Sequence, residues 1–134
     1  MLNIVINEKP VPASRPRASR WGAYYNEPYN TYKQCLANFF YQFMRKKEPY
    51  EKGIPLRVDI DFYMPIPKST SKKKTLMMEN AWHTKTPDKD NLMKSVYDGM
   101  NKFVFYDDGQ IVDGRETKKY STNPRTVIRI TKCI

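Results

Sequence analysis

Residues 86–113 read TPDKDNLMKSVYDGMNKFVFYDDGQIVD, and the reading of the fold starts from them. From Asp90 onward, Leu92, Met93, Val96, Tyr97, Met100 and Phe103 fall on one arc at helical spacing. Asn91, Lys94, Ser95, Asp98, Asn101 and Lys102 fall on the other. The pattern predicts an amphipathic helix over residues 91–103, with Asp90 as its N-cap. Lys94 lies four residues beyond Asp90, on the same polar side. Ahead of the helix, Pro87 keeps the chain extended, and in extended backbone residues two apart point the same way. Asp88 and Asp90 could therefore grip one cation. A second acidic pair, Asp107 and Asp108, follows the helix and opens a strand.

The ligand type sets the chemistry. Carboxylate oxygens with no His or Cys beside them suit Mg²⁺ or Mn²⁺, not zinc. Such ions keep several waters and work with phosphate oxygens, the setting of phosphoryl transfer. A lysine at that point can neutralise charge that builds on a pentacoordinate phosphate. Spacing alone fits equally well a plainer reading, in which Asp88, Asp90 and Asp108 are cap and turn acids.

The string PDKDNLMKSVYDGMN…VFYDDGQIVD resembles the RusA family of Holliday-junction resolvases, small endonucleases of phages and prophages. The family pattern is D-x-D-N-L-x-K, a helix carrying an Asp, then D-D-x-Q-V-x-D; every position is filled here, with Ile111 in place of the valine. The VPASRPR run, residues 11–17, is similar to the N-terminal arm of phage-type members. The resemblance implies catalytic, metal-binding carboxylates at Asp88, Asp90 and Asp108, and a catalytic lysine at Lys94. It also implies Mg²⁺ or Mn²⁺ as cofactor and branched DNA, the four-way junction, as substrate. A homodimer is expected from the resemblance and the small size, since a junction needs two symmetric incisions and one chain carries one acid cluster. The basic arm and the TKT sequence before Asp88 depart from the best-known resolvase type, which leaves junction choice and sequence preference open.

Composition agrees with a nucleic-acid partner. The 24 lysines and arginines against 14 acids give a net charge of +10, which calls for a polyanion. Nucleic acid is preferred to membrane, since no basic amphipathic helix appears. The expected partners exclude a membrane and any small-molecule cofactor. Cys35 and Cys133 lack metal-ligand or disulfide spacing, no leader peptide is evident, and a reducing cytoplasm is the expected location. His83 is the single histidine, which removes any His-dependent nucleophile or zinc scheme; five residues ahead of the acid motif it could assist locally, but a structural or incidental role suits it better.

Taken in order, residues 2–7 read as a strand. Residues 10–30, rich in Pro, Arg and Tyr, read as a long loop in which Arg15, Arg17 and Arg20 alternate with Trp21, Tyr24 and Tyr25. Those side chains suit phosphate contact and base stacking; a mobile basic linker is the alternative. Asn30 is placed to cap a helix over residues 31–47, with Tyr32, Leu36, Phe39, Phe40 and Phe43 as its core stripe. Residues 56–64 alternate as a strand, with Leu56, Val58, Ile60, Phe62 and Met64 on one face. Asp59 and Asp61 on the other face repeat the spacing of Asp88 and Asp90, but surface pairing with basic neighbours suits them better. Lys72, Lys73 and Lys74, with Lys68, form a basic cluster that suits phosphate contact or a mobile segment, and a short helix capped by Ser71 is one form open to it. Residues 109–120 and 126–134 read as the last strands, joined by a turn at STNP.

The order β-α-β-α-β-β predicts one α/β (α+β) domain over residues 1–134, a mixed four-stranded sheet with two main helices packed on one face. The leading function is a Mg²⁺-dependent endonuclease of branched DNA. Its rivals are a non-catalytic DNA- or RNA-binding protein whose acid cluster is structural, and a nuclease of flaps or single strands.

Overall fold

The computed structural model describes residues 1–134. In chain order the elements are β1 (Leu2–Ile6), β2 (Arg17–Ser19), β3 (Gly22–Tyr24), α1 (Tyr29–Phe43) and β4 (Leu56–Pro65). They continue with α2 (Lys72–Met78), α3 (Lys89–Met100), a 3₁₀ turn (Asp108–Gln110), β5 (Ile111–Asp113), β6 (Glu116–Ser121) and β7 (Arg125–Lys132). The chain forms two compact units. A sheet unit takes Met1–Pro10, Pro55–Lys89 and Ile111–Ile134; a helical unit takes Val11–Ile54 and Asp90–Gln110.

In the sheet unit β4 is central. It pairs antiparallel with β7, which pairs antiparallel with β1, and on its other side it pairs parallel with both β5 and β6. The sheet is mixed and the class is α+β, as expected, but it has five strands and not four. The predicted strand over 109–120 is broken at Gly114, whose φ is +149° and whose Cβ, if it had one, would fall 1.9 Å from the Val58 carbonyl oxygen. Only glycine fits there, so β5 and β6 share one edge of β4 as two pieces. The period-two pattern of β4 holds throughout: Leu56, Val58, Ile60, Phe62 and Met64 are buried, while their neighbours are half-buried. Ile4, Ile6, Ile128 and Ile130 bury with them, at about 1.5–3 kcal/mol for each large side chain. As expected, α2 is capped by Ser71, whose Oγ accepts from the Lys74 amide at 3.2 Å.

In the helical unit α1 and α3 cross closely. Gly99 on α3 makes this geometry possible, since a Cβ there would lie 3.0 Å from Leu36 Cβ and 3.3 Å from the Phe40 ring. Helix α1 starts earlier than predicted and ends at Phe43. Glu27, not Asn30, serves its start: its carboxylate accepts from the Thr31 amide and the Asn30 side chain, and the Thr31 hydrogen bond lowers its pKa. The Lys47 ammonium donates to the Phe43 carbonyl just past the helix end, where cations belong.

Helix α3 also differs at both ends. It begins at Lys89, so Asp90 lies in its first turn and accepts from the Asn91 amide at 2.9 Å. It stops at Met100, where the chain turns through Lys102 at φ 69°. Ser95, placed by periodicity on the polar side, is buried because its hydroxyl is satisfied by the Leu92 carbonyl at 2.7 Å. The predicted loop over 10–30 contains a hairpin, β2 with β3, registered by Arg17 opposite Tyr24 and Ser19 opposite Gly22.

Candidate active site

Three of the four residues expected to do chemistry lie in the helical unit. Asp90, Lys94 and Asp98 follow one another at four-residue intervals on α3, and so along one side of it. Asp90 and Lys94 are exposed, and Lys94 engages none of the chain's ion pairs. Asp98 is half-buried, and its charge reaches two other groups. The Tyr29 hydroxyl is pushed up to about 12, chiefly by burial and then by Asp98. Asp108 also has a raised pKa, chiefly from partial desolvation of its carboxyl, then from the neighbouring Asp107 carboxyl, then from Asp98.

Asp108 opens the 3₁₀ turn, and the buried side chain of Gln110 fixes that turn. Gln110 Oε1 accepts from the Tyr106 and Asp107 amides at 3.0 and 3.1 Å. Its Nε2 donates to the Glu51 and Ile54 carbonyls at 2.9 and 3.0 Å. All of its amide hydrogen-bonding capacity is thus spent on holding the Asp107–Asp108 loop against the 51–54 turn.

The fourth residue, Asp88, belongs to the sheet unit and is exposed. Its chain neighbours are tied down. Lys118 Nζ donates to the Lys85 carbonyl at 2.5 Å and the Pro87 carbonyl at 2.6 Å, and Lys89 pairs with Glu116 at 3.8 Å. Gln110 stood in the quoted motif, but its bonds to the 51–54 turn, 56 or more residues away, had no signal in the sequence. Nor had Lys118 or Glu116, each of which acts across a gap of 27 residues or more.

Across the chain, no three carboxylate, imidazole or thiol groups draw together tightly enough to hold a metal ion outright. The donor chemistry nevertheless fits a hard divalent cation. The acids are all oxygen donors, and the Asp107 and Asp98 charges that add to desolvation in raising Asp108 are what a cation would offset.

The other predicted residues divide cleanly. Arg15, Arg17 and Arg20 are exposed, Arg17 in β2 and Arg20 in the hairpin turn, where its guanidinium lies 5.0 Å over the Trp21 ring. Lys72, Lys73 and Lys74 form the exposed first turn of α2. None of the six is in an ion pair. Asp59 and Asp61 pair with Arg57 and Arg129, as expected, and Asp113 pairs with Arg57 at 2.9 Å. His83 packs on Tyr120 with ring centres 4.6 Å apart; burial, then Lys118, lowers its pKa, in keeping with a structural role. No helix is long and apolar enough to cross a membrane.

The family model described as endodeoxyribonuclease RusA matches residues 7–131. A Bacillus subtilis (strain 168) protein described as uncharacterized protein YqaN is 31% identical, over 96% of this chain and 94% of its own length. A Lactococcus phage r1t protein described as crossover junction endodeoxyribonuclease rusA is 37% identical, over 66% of this chain and 63% of its own length. With a match that takes in the acid motif, the basic arm and nearly every element, this chain belongs to the RusA endodeoxyribonuclease family.

Proposed function

We propose that the chain acts as one RusA-like endonuclease domain over residues 1–134, cytoplasmic and homodimeric. In this reading it hydrolyses phosphodiesters of branched DNA, four-way junctions foremost, with Mg²⁺ or Mn²⁺. The observation that carries the reading is the state of the acid motif in so basic a protein. Asp88 and Asp90 are exposed and accept a single side-chain hydrogen bond between them, while Asp107 and Asp98 crowd Asp108. Plain turn acids in a chain of net charge +10 would be expected to find cations, as Asp59 and Asp61 do.

Asp88, Asp90 and Asp108 would hold the ion. When bound, it supplies Lewis-acid polarisation of the scissile phosphate and lowers the pKa of a water. Lys94, one turn along α3 from Asp90, offsets negative charge that builds on the phosphoryl oxygens. Gln110 holds the turn that carries Asp108, Lys118 holds the backbone just before Asp88, and Glu116 pairs with the Lys89 side chain just after it. Arg15, Arg17 and Arg20 bind the DNA backbone, with Trp21 free to stack on an unpaired base. Lys72, Lys73 and Lys74 occupy the helix end where the dipole favours acids, so helix electrostatics do not account for them and phosphate contact does. Two copies related by a two-fold axis match the two incisions a junction requires.

The test is incubation of the protein with labelled four-way junction, flap and plain duplex, in Mg²⁺ and in EDTA. Symmetric junction cleavage that needs Mg²⁺ is the expected result. Tight binding of all three without cleavage would favour a non-catalytic DNA-binding protein, and preferential cutting of the flap would favour a flap nuclease.

A further inference from the structure

The polar face of the sheet carries a cleft of about 310 Å³, at the lower end of the range for small-ligand sites. Its floor is built from residues two apart on β4 and its neighbours, which therefore share a face. Arg129, Asp59 and Arg115 lie in one row across β7, β4 and the start of β6, with Asp61 and Thr117 in the next. Lys119 and Trp82 form the wall.

The charges of this cleft do not balance. Four cations, Arg57, Arg115, Lys119 and Arg129, line it with two carboxylates, and a third, Asp113, reaches Arg57 from outside the cleft. Both carboxylates are already committed. Asp59 takes Arg57 in a two-pronged bond at 3.0 Å and the Arg115 amide at 2.9 Å, and the Arg57 bond holds its pKa down. Asp61 takes Thr117 at 2.6 Å and Arg129 at 3.2 Å. The Arg115 guanidinium and the Lys119 ammonium are left without a carboxylate.

Beside them stands Trp82, 59% exposed although large and apolar. It is not on a loose loop. Trp82 bridges to Lys119 in the manner of an added strand, with Tyr120 donating to the Ala81 carbonyl and His83 to the Lys118 carbonyl on either side. The Lys119 ammonium sits 4.9 Å from its ring centre, so ring and cation are presented together.

We infer that this cleft is a second nucleic-acid site, which holds one nucleotide of a single strand with its base on Trp82 and its phosphate between Arg115 and Lys119. An exposed ring fixed beside two uncompensated cations is what an unpaired nucleotide requires, a π-face and a backbone charge. Charge decides against a second copy of this chain as occupant, because every copy carries +10 and would meet a face with surplus positive charge. The cleft shares no residue with the acid motif, and binding there does not depend on cleavage.

The test uses the full chain with Trp21→Phe, which leaves Trp82 as the only tryptophan. Its fluorescence is followed in EDTA while a short oligothymidylate, thymidine 5′-monophosphate or inorganic phosphate is added. The oligothymidylate should quench Trp82 saturably, the mononucleotide should do so more weakly, and phosphate alone should leave it unquenched. Adding Arg115→Ala and Lys119→Ala should weaken the oligothymidylate by about tenfold or more and lower its salt slope by about one to two. Adding Asp90→Asn instead should leave the quenching in place, which separates this site from the acid motif. Absence of quenching, or quenching indifferent to Arg115→Ala and Lys119→Ala, would overturn the inference. So would a Trp82 signal that tracks protein concentration without DNA, which would make the cleft a contact between copies.

Discussion

The chain carries the same acidic spacing twice, and the two copies meet opposite fates. Asp59 and Asp61 stand on β4, mid-strand, where cross-strand neighbours lie within reach. Each is taken up by an arginine and by a further donor, the Arg115 amide or the Thr117 hydroxyl. Asp88 and Asp90 stand where a loop becomes α3, exposed, with one backbone amide between them. A carboxylate inside a sheet is surrounded by partners that evolution can supply at fixed register. One at a strand or helix end faces solvent and stays available to a ligand. Identical spacing therefore carries no functional meaning until the element that bears it is known.

Substitution should separate the two pairs sharply. Asp88→Asn and Asp108→Asn each remove charge from the proposed ion site and should lower junction cleavage by about a thousandfold, the loss of several kcal/mol of transition-state stabilisation. Asp59→Asn should leave the rate within about twofold. Gel assays of single-turnover cleavage give both numbers, and equal losses at Asp59 and Asp88 would erase the contrast.

Lys94→Ala should come next, at about a hundredfold in turnover with little change in junction affinity, since its charge is directed at the transition state. A loss confined to affinity would make Lys94 one more phosphate contact.

Gln110→Ala should cost about 1–3 kcal/mol in urea unfolding, because it strands two backbone amides and two carbonyls. It should lower cleavage as well, through the Asp108 loop. Unchanged stability would mean that water replaces the amide at no cost.

The smallest effect sharpens the β4 side. Arg57 holds the Asp59 carboxyl below its ordinary value. A depressed acid contributes stability above its unfolded pKa, about 3.9, and loses it as pH falls through the folded value. The gap in thermal midpoint between the parent and Asp59→Asn should therefore be present at neutral pH and shrink below about pH 4. A gap that widens in acid would contradict the assigned pair.

Much of this was legible in the sequence, for a physical reason in each case. The alternation of residues 56–64 and the i, i+3, i+4 rhythm after Asp90 report burial directly, and β4 and α3 follow from them. The Ser71 cap is a local bond, and local bonds can be read. The hairpin of β2 and β3 escaped because all six of its strand residues are exposed, so no alternation marks it. The break at Gly114 depends on the Val58 carbonyl, 56 residues away, and nothing near the glycine announces it. In the site, ligand chemistry at Asp88, Asp90, Lys94 and Asp108 could be argued from residue type and family resemblance. The supports could not: Lys118, Glu116 and the bonds of Gln110 to the 51–54 turn join residues far apart in the chain, although Gln110 itself stood in the motif.

In the proposed mechanism the unpaired acids at the start of α3 do chemistry and not binding. Asp90→Asn tests it most directly, because it keeps the side chain's size and its bond to the Asn91 amide while it removes one charge. Junction affinity is measured in EDTA and junction cleavage in Mg²⁺, for the parent and the variant side by side. Affinity should equal or exceed the parent's, as one repulsion of the phosphate backbone is gone, while cleavage should fall by about a hundredfold or more. Cleavage at the parental rate with affinity unchanged would contradict it, and would place the reacting phosphate elsewhere on the protein.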